Sequence, residues 1–97
     1  MSKIHKLKLV QPFFDDVWIG SKTFEIRKND RDYKVGDILT LCEYNEVNQK
    51  ETDRYIVAEI TYILKEYFSI SNGFVVMSID VLSWHTNEDY TISGFFK

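Results

Sequence analysis

The sequence predicts a mainly β (α+β) chain, a small β-barrel with one short helix after its first strand. Three observations predict it. Apolar and polar residues alternate with a period of two in several separate stretches, the pattern of half-buried strands. A helical period occurs near residues 13–18. The turn-forming glycines, Gly20, Gly36, Gly73 and Gly94, stand singly between the stretches, and the lone proline is Pro12. Several strands in so short a chain expose sheet edges, and closure into a barrel removes them.

The elements follow in order. Ile4 to Val10 alternates, with His5, Leu7 and Leu9 on one side and Lys6 and Lys8 on the other. From Gln11 to Gly20 the period changes: proline suits a first helical turn, Phe14, Val17 and Trp18 fall at i, i+3, i+4, and glycine suits the end. Lys22 to Lys28 alternates again, with Phe24 and Ile26 to one side and Thr23, Glu25 and Arg27 to the other. Asn29 to Asp32 is a polar loop, and Val35-Gly36-Asp37 a tight turn before the central strand Ile38 to Tyr44. Asn45 to Asp53 reads as a hairpin loop. A long strand follows, in which Ile56, Ala58, Ile60, Tyr62 and Leu64 share a side. Lys65 to Gly73 is a connection, and Phe74 to Leu82 is the closing strand. Residues 83–97, with Trp84, Tyr90, Ile92, Phe95 and Phe96, form an aromatic extension expected to pack on the domain or on a partner.

Composition narrows the class. With 97 residues, one domain spanning 1–97 is expected. A 44% hydrophobic and 28% charged chain lies away from the composition of disordered proteins. A single cysteine, Cys42, forms no intrachain disulfide, and with only His5 and His85 the chain lacks the usual zinc ligands. No metal and no cofactor is therefore expected. No apolar run approaches the length of a membrane span, so a cytoplasmic protein without membrane contact is expected. Charge is uneven: eight basic residues face five acids up to Lys34, and four face ten from Val35 onward. Such asymmetry can focus an anionic ligand at one end or simply mark a solvated face.

The densest group of functional side chains is Gly20 to Arg31. On a strand, Thr23, Glu25 and Arg27 share a face, so a hydroxyl, a carboxylate and a guanidinium stand in a row. Lys22, at the start of the strand, can swing its ammonium over the same groove. The row can grip a polar ligand or be an ordinary ion pair beside a solvated lysine. Cys42 lies among apolar residues and reads as a core thiol.

At this point the chain resembles a known family. Gly20-x-Lys22-x-x-Glu25-x-Arg27 is similar to the G-x-K-x-x-E-x-R signature of the ASCH domain, a branch of the PUA-like superfamily of small barrels. The wider phrase from Lys22 to Asp32, followed by Val35-Gly36-Asp37, resembles an uncharacterised bacterial and phage family within that branch, and the likeness runs from about His5 to Leu82. The resemblance implies a PUA-like barrel with a cleft between barrel and helix. It implies an RNA or nucleotide-like ligand held there by Lys22, Glu25 and Arg27, and Thr23 and Arg31 beside them are expected to line the same groove. Lys22 and Arg27 would hold phosphate or base acceptors, and Glu25 would accept from an exocyclic amine. Trp18 and Tyr33 flank the signature and could stack on a base, though Trp18 is expected to face the core.

Two other function classes are open. Some small ASCH proteins are amidohydrolases that act on acylated cytidine, using the signature lysine, a threonine and a glutamate from a later helical segment. In this chain Glu25 stands at the threonine position, and the connection between Leu64 and Phe74 is short for such a helix, so a hydrolase would rest on Lys22 and Glu25. The aromatic extension could instead make the chain an interaction module or a homodimer.

Overall fold

The computed structural model describes residues 2–65 and 73–86. Its elements are β1 (Ile4–Val10), α1 (Phe13–Trp18), β2 (Phe24–Lys28), β3 (Ile38–Asn45), β4 (Lys50–Lys65) and β5 (Phe74–Thr86). The strands form one sheet in the order β1-β3-β4-β5-β2. β1 runs parallel to β3, and the other three contacts are antiparallel.

The inner face of the curled sheet carries the core. Leu7 and Leu9 of β1, Leu39 and Leu41 of β3, Ile56, Ala58 and Ile60 of β4, and Val75, Met77 and Ile79 of β5 are buried there with Phe14 and Val17 of α1. Each set is a period-two or i, i+3 pattern, so the mainly β architecture and the short helix follow from the sequence as expected.

The sheet departs from the expected alternation where its ladders slip. Register shifts between Ile60 and Tyr62 of β4, leaving Thr61 as the extra residue opposite β5. A one-residue bulge moves every later side chain to the other face. Tyr62 is accordingly 60% exposed, while Ile63 packs against the core. A second shift beside Val57 and Ala58 leaves Leu82 exposed and turns Val81 and Trp84 inward. Here β5 continues four residues past Leu82, so Ser83 to Thr86 belong to the sheet and Trp84 to the core. The rest of the expected extension, residues 87–97, and residues 66–72 of the expected connection lie outside the described residues.

The expected closed barrel is not reached: β1 and β2 are the two edges of a half-barrel, and among the described residues no ladder joins them. Ile38 N donates to Lys3 O, which turns the odd-numbered carbonyls of β1 toward β3 and the carbonyls of Lys6 and Lys8 toward the open seam. Arginine side chains cross it instead. Arg27 Nη2 donates to Lys8 O at 2.6 Å, and Arg31 Nη1 donates to Lys6 O at 3.1 Å.

Candidate functional site

The open seam sets the site, and β2 brings the signature to it. Opposite β5, Glu25 pairs with Met77 and Arg27 with Val75, both buried residues of the inner face. The register therefore turns Glu25 and Arg27 inward, and leaves Phe24 and Ile26 40% and 53% exposed. Charged residues pointing inward on an edge strand are one way a sheet blunts its edge.

Glu25 is 2% exposed, and both its oxygens are engaged. Lys22 Nζ donates to Oε1 at 3.1 Å, and Arg27 Nε donates to Oε2 at 2.6 Å. The carboxylate thus fixes the two cations, and both its oxygens are already bonded within the chain. Lys22 is held further by Phe24 O at 2.7 Å and lies 4.8 Å from the Phe24 ring centre. Its backbone is set by the end of α1. Gly20 takes a φ of +89°, which glycine adopts at little cost, and Ser21 N and Lys22 N then both donate to Asp16 O.

Along the seam runs a cleft of about 490 Å³. Phe13 of α1, Ile26 of β2 and Phe74 of β5 give it apolar surface; among the described residues, Lys8, Lys22, Arg27 and Lys28 give it four cations against the single carboxylate of Glu25. Lys22, Glu25 and Arg27 are thereby brought together. Thr23 is exposed and does not line this cleft. Arg31 lines a separate hollow of about 160 Å³, also bounded by Arg27, Lys28, Asp30 and Tyr33. Neither flanking aromatic stacks in the larger cleft. Trp18 packs against the core beside Phe14, and Tyr33 is 4% exposed with its ring 4.7 Å from that of His5.

The sequence reading missed Lys8, Phe13, Lys28 and Phe74 as cleft residues. Phe13 carried a signal: an aromatic outside the i, i+3, i+4 set of a helix faces away from the core. The other three reach the cleft only because β1 and β2 become facing edges.

Two polar groups outside the cleft hold its walls. Arg54 donates to Glu43 and Asp15, and its guanidinium lies 5.1 Å from the Phe14 ring and 4.9 Å from the Trp18 ring, which ties α1 to β3 and β4. Hydrogen bonding from Arg54, with help from Thr52 and Gln11, outweighs burial and holds the Glu43 carboxyl below the usual range. On the far side of β1, His5 Nε2 donates to Asp37 Oδ2 at 2.8 Å, and Lys3 N and Lys34 N donate to the same carboxylate. Burial pushes the Asp37 carboxyl up, but these bonds prevail and hold it low. Cys42 is buried, and burial pushes its thiol up, away from the thiolate a nucleophile needs. Among the described residues no group of three or more metal-ligating side chains occurs, and no helix is long and apolar enough to cross a membrane.

Residues 4–79 match the family described as a domain of unknown function, DUF3850. A protein of Escherichia phage P2, described as an uncharacterized 12.9 kDa protein in the GpA 3' region, is 46% identical over 61 residues. That match covers 63% of this chain and 54% of the phage protein, so the chain spans about half the length of the curated relative it matches.

Proposed function

The chain belongs to the DUF3850 family, and with that premise we propose that its seam cleft binds a nucleotide unit of single-stranded RNA, in the manner of an ASCH domain of PUA-like fold. The observation that carries the reading is the lining: four cations around one carboxylate that is already satisfied, between apolar surfaces that include two phenylalanines. Phosphate affinity needs unmatched positive charge, and bases need flat apolar surface. Phe13 and Phe74 offer that surface, and the exposed Lys28 offers charge without a role in the core, while Lys8 Nζ lies 4.6 Å from the Tyr44 ring centre. Arg27, pinned by Glu25 and by Lys8 O, keeps donors for a base edge or a phosphate.

The hydrolase alternative draws less support. A hydrolase would use Glu25 to shuttle the proton, and that carboxylate is buried with both oxygens already engaged by Lys22 and Arg27.

Binding of short single-stranded RNA, titrated at several salt concentrations, tests the proposal. Replacement of Lys22, Arg27 or Lys28 by alanine is expected to weaken binding, and each lost phosphate contact to flatten the log-log salt slope by about 0.7. Lys50→Ala, at the start of β4, is expected to leave both unchanged. Equal losses in all four variants would mean diffuse charge attraction and refute the cleft. Incubation with acylated nucleosides, followed by mass spectrometry, checks the hydrolase; turnover abolished by Lys22→Ala would replace the binding reading.

A further inference from the structure

We propose that the smaller hollow at the seam is a seat for a phosphate oxyanion, held by the Arg27 and Arg31 guanidiniums and the Tyr33 hydroxyl. The proposal leans on the nucleotide reading of the larger cleft only for the source of the phosphate; the seat itself stands on its own residues.

The first support is charge held in place. Arg27 and Arg31 are tethered to Lys8 O and Lys6 O, carbonyls two residues apart on one strand edge, hence about 7 Å apart. Around the hollow these guanidiniums and Lys28 face one acid, Asp30, whose side chain is largely exposed and 3.9 Å from Arg31 Nε. Like charges fixed this near repel, and an anion between them relieves the repulsion. The tethers leave donors free. Of the five N–H groups of Arg27, Nε bonds Glu25 and one on Nη2 bonds Lys8 O, so three have no partner among the described residues.

Tyr33 is the second, independent support. The residue is more than nine-tenths buried, yet its hydroxyl has no hydrogen-bond partner among the described residues. No fully buried side-chain oxygen or nitrogen among them lacks a partner, so this hydroxyl is not sealed, and Tyr33 lines the hollow. Burial pushes the phenol up, so it stays a donor at neutral pH; the next influences, from Arg31 and then Arg27, pull the other way and reflect how near both guanidiniums lie. Two forks and an O–H donor around a space of about 160 Å³ are the complement of a tetrahedral oxyanion.

The two hollows share Arg27 and Lys28. A nucleoside monophosphate could therefore set its base beside Phe13 and Phe74 and its phosphate beside Arg31 and Tyr33. Free inorganic phosphate has the same recognition chemistry, and the experiment separates the two.

The full chain, labelled with 15N, is titrated with inorganic phosphate, with the four ribonucleosides and with their 5'-monophosphates. Inorganic phosphate is expected to shift the amides of Asn29 to Lys34, and monophosphates to bind about tenfold more tightly than matching nucleosides. Tyr33→Phe and Arg31→Gln are each expected to remove most of that advantage while nucleoside affinity holds. Tyr33→Phe keeps the ring against His5, and an unchanged thermal transition verifies the fold. If phosphate shifts other amides, or if both variants bind phosphate as the parent does, the seat is overturned. Nucleosides that bind with no gain from the phosphate would sink the seat and leave the cleft standing. Inorganic phosphate that binds with the expected dependence on Tyr33 and Arg31, without nucleoside or RNA binding, would uphold the seat and sink the nucleotide reading.

Discussion

Glu25 shows how a residue's role turns on what surrounds it. An isolated buried carboxylate costs several kcal/mol, and this one is tolerated because Lys22 and Arg27 both donate to it. Those cations remain partly in water, with 16% and 24% of their side chains exposed, so removing the acid leaves charges that solvent partly screens. Glu25→Gln is therefore expected to destabilise the fold by about 2 kcal/mol, inside the range for an unmatched buried polar group. Denaturant unfolding checks this. RNA affinity should fall in the same variant, since Lys22 and Arg27 lose their common anchor; retention of full affinity would show that the two cations need no such positioning.

At the scale of elements, α1 is too short to be stable by itself, and its six residues depend on tertiary contacts. Phe14 and Val17 bury one side, while Arg54 covers Phe14 and Trp18 and donates to Asp15. Trp84 Nε1 adds a bond to Trp18 O at 2.9 Å. Arg54→Leu keeps apolar cover but strands Glu43, which then retains only Thr52 and Gln11. A loss of about 1–2 kcal/mol is expected. Because Phe13 on this helix lines the cleft, ligand affinity should decline more than in a surface variant such as Lys50→Ala. Unfolding and binding curves of the same variant check both effects.

The whole molecule is a half-barrel whose edges are pinned by polar groups, and its acid stability should follow from them. Asp37 and Glu43 both have carboxyls held below their ordinary values in the folded state. Their contribution is complete above the unfolded carboxylate range, about pH 4, and is lost as pH falls through the lower folded values. Stability is therefore expected to drop with acid from about pH 4 downward. Asp37→Asn should lower stability at neutral pH and flatten that decline, as read by thermal unfolding across a pH series. An unchanged acid slope would show that the turn before β3 is not held by this carboxylate.

Much of this fold could be read before any coordinates. Period-two runs located β1, β2 and the cores of β3, β4 and β5, the helical period located α1, and Gly20 marked its end. Lys22, Glu25 and Arg27 were legible as a group because they lie within six residues, and local spacing on a strand gives Glu25 and Arg27 a common face. The direction of that face was not legible. Alternation says which side chains travel together, and only the register against β5 turns Glu25 inward and Ile26 outward. Bulges likewise moved Tyr62 to the other side of β4 and turned Trp84 of β5 inward, since an extra residue in one strand is defined by its partner. The half-barrel seam and the shared lining of the cleft by Lys8 and Lys28 join residues distant in sequence. The sequence by itself determined the secondary structure and the supply of cations, because those are properties of short stretches. Tertiary structure decided which edges stay open and which charges remain unmatched there, because strand order and register are settled by burying the whole core at once.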